Sequence, residues 1–129
     1  MHIEHVALWT HQLESLRRFY EHYFAAQAGA RYDNPAKGFS SYFLRFASGA
    51  RLELMSRADV PEVVTDPVRQ RTGFIHLAFA VGSAAEVDAF YALACRDGLK
   101  VLEAPRHTGD GYYEMTLLDP DGNRLEVTI

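Results

Sequence analysis

The chain repeats itself, and that repetition constrains its fold more than any other property of its 129 residues. Phe74-Ile75-His76-Leu77-Ala78-Phe79-Ala80-Val81 is apolar at nearly every position, with one histidine in its middle, and reads as a buried strand. Ile3-Glu4-His5-Val6-Ala7-Leu8 opens the chain in the same way, 71 residues earlier. An imidazole in such a strand needs partners for its ring nitrogens, because burying an unsatisfied polar group is costly.

At that offset His5 meets His76, Ala7 meets Ala78, Leu16 meets Val87, Phe19-Tyr20 meets Phe90-Tyr91 and Tyr42 meets Tyr113. Near the ends the offset becomes 73, and Arg51-Leu52-Glu53-Leu54 meets Arg124-Leu125-Glu126-Val127, as if the last hairpin turn were two residues longer. Order, element type and polar exceptions agree together, so the chain reads as two copies of one unit.

The first copy is a β-α-β-β-β unit. A strand over residues 2–9 precedes a helix over Leu13–Phe24, whose apolar stripe is Leu16, Phe19, Tyr20 and Tyr23, with Gly29 just beyond its end. A short strand near Ala30–Tyr32 is expected next, then Asn34-Pro35 and Gly38 in a loop, then strands Phe39–Phe46 and Arg51–Ser56 joined at Ser48-Gly49. Residues 58–73 have little periodicity and read as a linker between module one (1–57) and module two (74–129). In the second copy Ser83-Ala84-Ala85-Glu86 has the form of a capping box before a helix carrying Val87, Phe90, Tyr91 and Ala94. Strands near Leu99–Glu103, Tyr112–Leu118 and Arg124–Ile129 complete it, the last two joined at Asp119-Pro120-Asp121-Gly122. The fold class expected is α+β, with the two modules forming a cupped mixed sheet.

Composition excludes several functions. A hydrophobic share of 48% supports a packed core rather than disorder, and a net charge of −4 offers nothing to nucleic acid or an anionic membrane. No apolar run approaches the roughly 18 residues that span a bilayer, and Met1-His2-Ile3-Glu4-His5 lacks the form of a signal peptide, so a cytoplasmic protein is expected. Cys95, the single cysteine, excludes an intrachain disulfide and reads as a small core residue. His2, His11 and His22 read as surface residues, and Tyr20 and Tyr91 as core aromatics.

Each copy has a histidine in its first strand and a glutamate in its last. Strand parity puts Arg51, Glu53 and Met55 opposite Leu52 and Leu54, and Arg124, Glu126 and Thr128 opposite Leu125 and Val127. His5, Glu53, His76 and Glu126 thus share a face with Ala7, Ala78 and Ala80, which leave room for a ligand. Two imidazoles and two carboxylates without thiolate suit a divalent ion: Ni, Co, Mn, Fe(II) or Zn. Four protein donors on an octahedral ion leave two positions for water or substrate oxygens, as Lewis-acid stabilisation of an enediolate requires. A lone strand histidine is ordinarily structural, and so is a lone glutamate; their recurrence at matched positions is what favours the metal.

These stretches, with Gly73-Phe74-Ile75-His76-Leu77-Ala78-Phe79 and Asp119-Pro120-Asp121-Gly122-Asn123-Arg124-Leu125-Glu126, make the chain resemble the vicinal oxygen chelate superfamily over essentially its whole length. That superfamily includes glyoxalase I, extradiol dioxygenases, methylmalonyl-CoA epimerase, and fosfomycin- and bleomycin-resistance proteins. Having all four donors looks most like glyoxalase I. The resemblance implies a small carbonyl or hemithioacetal substrate and a proton abstracted alpha to a carbonyl by Glu126, with a carboxylate, Glu53 being the other, returning it to the neighbouring carbon. Alternatives it leaves open are an epimerase, a ring-cleaving dioxygenase and a protein that sequesters an antibiotic or metabolite. It further implies modules paired within one chain or across a homodimer, the homodimer being the expected assembly. Trp9 stands where bacterial glutathione-using glyoxalases carry arginine, which points away from glutathione. Trp9, Phe74 and Tyr113 are the expected aromatic substrate contacts, and Arg106, with His107, Arg69 and Arg71 as alternatives, the expected partner of a substrate carboxylate.

Overall fold

Helix α1 (Leu13–Phe24) forms where apolar residues recur at helical spacing, and it buries Leu13, Leu16, Phe19 and Tyr20. Each such side chain contributes about 1.5–3 kcal/mol relative to exposure. The helix starts without a side-chain cap and stops at Ala25, whose φ of 51° is left-handed. The helix has the expected bounds, but the residue that ends it is Ala25 rather than Gly29. Gly29 instead lies between strands β2 (Gln27–Ala28) and β3 (Tyr32–Asn34), and its N–H donates to the Phe43 carbonyl. Those two fragments replace the single strand expected near Ala30–Tyr32, because pieces of two and three residues are too short for alternation to reveal. The computed structural model describes residues 1–62 and 66–129, and the chain divides into two units, Met1–Val64 and Thr65–Ile129.

In the first unit β1 (His5–Trp9) pairs parallel with β5 (Arg51–Arg57), which pairs antiparallel with β4 (Phe39–Arg45). The fragments β2 and β3 both pair with β4, completing a five-stranded mixed sheet. Packed against β4 and β5, α1 covers Leu44, Leu52 and Leu54, each at most 2% exposed. The opposite face carries His5, Ala7 and Trp9 beside Arg51, Glu53 and Met55.

The second unit repeats this plan with four strands in the order β6 (His76–Ala80), β9 (Arg124–Thr128), β8 (Tyr113–Leu118), β7 (Val101–His107). Helix α2 (Ala84–Arg96) begins at Ser83, whose hydroxyl oxygen accepts from the Glu86 N–H and donates to the Glu86 carboxylate. Val87, Phe90 and Ala94 are its buried stripe, with Met115, Leu117, Leu125 and Val127 beneath. Tyr91 is only half-buried, and Cys95 is exposed beside it rather than a core residue. The register of α2 turns that side of the helix away from the sheet.

Two further expectations are corrected. The strand around His76 is not buried: it begins at His76 rather than Phe74, Phe74 is 97% exposed, and no residue from His76 to Ala80 reaches the core. It is an edge strand with β9 as its one partner in the sheet, while α2 packs over β7, β8 and β9. The two-residue difference between copies does not lie in the last hairpin turn. Leu44 pairs with Leu52 and Leu117 with Leu125, so both turns have the same length. The two residues enter earlier, before β8, and Tyr42 therefore matches Met115 rather than Tyr113. In the linker, Asp66 begins a hydrogen-bonded turn closed by Arg69; residues 63–65 lie outside the described residues.

Candidate metal centre

Register determines what the histidines meet. In β1, Ala7 stands directly beside Glu53 and His5 beside Arg51; in β6, Ala78 stands beside Glu126 and His76 beside Arg124. Histidine and glutamate are thus diagonal neighbours on one face, and the intervening alanine is small enough to let the carboxylate lean across. His5 Nε2 lies 3.8 Å from Glu53 Oε2, and His76 Nε2 lies 3.7 Å from Glu126 Oε2. Both separations exceed a hydrogen bond. Two donors each about 2.0–2.2 Å from a common ion lie no more than twice that distance apart, a limit that both pairs satisfy. The glutamate side chains are 14% and 17% exposed, sheltered but open on one side. Each pair therefore fits half of a divalent-ion donor set. Among the described residues no group of three or more His, Cys, Asp or Glu converges on one point.

The surroundings of the two pairs differ. Around His5 they are aromatic. Phe43 meets the His5 ring edge-on, with centroids 5.4 Å apart, and Trp9 stacks edge-on against Phe39 with the Arg57 guanidinium 5.4 Å above it. Glu4 bonds to His5 Nδ1 at 2.5 Å and also pairs with Arg51. The His5 contact comes first in holding the Glu4 carboxyl below its usual range, with Arg51 adding to it.

Around Glu126 the surroundings are polar. Thr116 pairs with Glu126 across β8 and β9, and its hydroxyl donates to Glu103, which lowers the Glu103 carboxyl. Glu114, 9% exposed, has its carboxyl pushed up, first by burial and then by the Glu126 charge. Arg106 lies 3.3 Å from both Glu103 and Glu114.

Of the expected substrate contacts, Trp9 shares the face of the His5–Glu53 pair, and Arg106 is tied to Glu114, which shares the Glu126 face of the β8–β9 pair. Tyr113 does not join them. It alternates onto the helix side of β8, where its hydroxyl donates to Asp88 at 2.8 Å. Phe74 and Arg69 stand in solvent. Glu4, Glu103 and Glu114 were missed by sequence reasoning. Glu4 is adjacent to His5 in the motif itself, whereas the other two become neighbours only once the β7–β8 register is known. A groove of about 650 Å³ at the start of α1, with Arg18, Arg31 and Arg57 in its wall, includes neither His5 nor Glu53.

The family model for the Glyoxalase/Bleomycin resistance protein/Dioxygenase superfamily matches residues 2–127, and the chain belongs to that family. It is 29% identical over 128 residues to the uncharacterized protein YqjT of Bacillus subtilis, covering 97% of this chain and 96% of that one. A glyoxylase/bleomycin resistance protein/dioxygenase domain from Frankia superposes with a TM-score of 0.82 at 19% identity, over 100% of this chain and 97% of that one. Glyoxalase I from Zea mays superposes with a TM-score of 0.77 at 21% identity; the match covers 98% of this chain but 44% of the maize protein. These likenesses show the fold, two βαβββ modules. No helix among the described residues is long and apolar enough to cross a membrane.

Proposed function

We propose that the protein is a metal-dependent isomerase or lyase of glyoxalase type, acting on a small carbonyl or hemithioacetal substrate. The observation that carries this reading is the recurrence of one His–Glu pair, at 3.8 and 3.7 Å, in the same diagonal register of both modules. In this reading His5, Glu53, His76 and Glu126 hold one divalent ion, the two pairs meeting within a chain or across a homodimer. When bound, the ion supplies Lewis-acid polarisation of the substrate oxygens. Glu126 takes the proton from the carbon alpha to the carbonyl, and the C–H electron pair moves into the adjacent bond. A carboxylate, Glu53 or Glu126, returns the proton to the neighbouring carbon, so the substrate is isomerised without oxidant or reductant. Trp9 offers an apolar surface, and Arg106 a charge for a substrate carboxylate.

The test is metal content followed by turnover. Purified protein is expected to carry at least about half an equivalent of a divalent metal per chain, and to isomerise a methylglyoxal–thiol hemithioacetal. Glu126→Gln is expected to lose that activity while remaining folded. Metal-free protein that binds apolar drugs would instead favour sequestration, a second reading supported by the aromatic surroundings of Trp9, Phe39 and Phe43.

A further inference from the structure

We propose that Glu4 is a positioning residue that fixes the ring orientation and tautomer of His5, and that module two has no equivalent device. This inference rests on the metal reading for its purpose but not for its observation. Four side chains close a loop in module one. The Glu4 carboxylate bonds His5 Nδ1 and the Arg51 guanidinium, the guanidinium lies 4.1 Å over the Phe43 ring, and Phe43 stands edge-on to His5. An ionised carboxylate can only accept, so the hydrogen of the short contact belongs to Nδ1. Neutral imidazole carries one hydrogen, and its Nε2 lone pair is thereby left facing Glu53. A carboxylate behind a histidine is how metal-binding imidazoles are oriented and made more basic.

Module two keeps the histidine and arginine of this loop and loses the rest. Ile75 stands where Glu4 stands, and Thr116 pairs with Glu126 where Phe43 pairs with Glu53. Arg124, the counterpart of Arg51, donates to the carbonyl oxygens of Pro67 and Val68. His76 Nδ1 has no hydrogen-bond partner among the described residues, and Glu126 near Nε2 favours a hydrogen on that nitrogen. One histidine is therefore set with its metal-facing nitrogen bare, and the other must change tautomer to bind.

Long-range 15N–1H correlation of the imidazoles in metal-free protein, at a pH where both are neutral, reads the tautomers directly. His5 is expected to carry its hydrogen on Nδ1, and His76 on Nε2, as free imidazole prefers. Glu4→Ala should move His5 to the His76 pattern, whereas Glu4→Gln, whose amide oxygen still accepts, should retain Nδ1–H. An Nε2–H signal for His5 in the unaltered protein, or no change in Glu4→Ala, overturns the proposal. Titration with zinc alone supplies the second readout. Glu4→Ala is expected to lose roughly 10–100-fold in affinity, and Ile75→Ala to lose none; equal affinities in Glu4→Ala and the unaltered protein would overturn the role in binding. If the unaltered protein takes up no zinc while His5 still holds Nδ1–H, the metal reading fails and the orienting contact stands.

Discussion

His76 and Glu126 face each other at 3.7 Å from neighbouring parallel strands, one diagonal step apart, with Ala78 as the small residue beside the carboxylate. If the pair is a metal half-site, saturating zinc should stabilise the fold, by about 2.7 kcal/mol at a concentration a hundred times the dissociation constant. His76→Ala and Glu126→Gln should each abolish most of that gain. Thermal unfolding with and without zinc checks this, and an undiminished gain in both variants would remove the pair from the metal reading.

Asp119 anchors the turn that sets the register of β9. Its carboxylate accepts from the backbone N–H groups of Asp121 and Asn123 and from the Asn123 amide, each at 2.9 Å, while the residue is 5% exposed. Removing the acceptor deletes three part-buried hydrogen bonds, each contributing about 0.5–1.5 kcal/mol net. Asp119→Ala is expected to cost about 2–3 kcal/mol in urea unfolding; a loss below a few tenths would show the turn to be held by other means.

Glu14 of α1 accepts from the Tyr42 hydroxyl at 2.8 Å and from Arg17 at 3.0 Å. The Tyr42 bond comes first in holding its carboxyl below the usual range, with Arg17 and Arg31 adding to it against desolvation. A depressed folded pKa stabilises above the unfolded value, and that stability is lost as the pH falls through the folded one. Tyr42→Phe should cost about 1 kcal/mol near neutrality, and the difference should shrink in acid. A gap that is constant or widens as the pH falls would contradict this assignment.

Leu125 is fully buried between Leu77 and Leu117 in the sheet register and one residue from Glu126. Leu125→Ala should destabilise by about 2–5 kcal/mol. Hydrogen exchange should show the loss in β6, β8 and β9, and unchanged protection there would mean that the site closes up around the smaller residue.

The sequence revealed what the two copies share and concealed what separates them. Alternation and matched polar exceptions were enough to put His5 with Glu53 and His76 with Glu126, because both follow from period-two parity. Tyr113 was expected at the ligand for its aromatic ring alone, whereas its place in β8 puts it on the face of Met115 and Leu117, opposite Glu114 and Thr116, where it donates to Asp88. Apolar content made the His76 strand look buried, but composition does not register that a strand has only one neighbour. Glu4 escaped because its role depends on a side chain that reaches both the adjacent His5 ring and Arg51 of the neighbouring strand β5, which alternation does not describe.

The parallel pairing of β1 with β5, and of β6 with β9, also orders events in time. Each closing hairpin, β4–β5 and β8–β9, joins residues close in sequence, whereas each first strand must wait for nearly the whole module before its partner exists. Local contacts form fast and distant ones slowly. The His–Glu pair is therefore among the last things each module makes during folding, and a half-folded module has its carboxylate but not its imidazole in place.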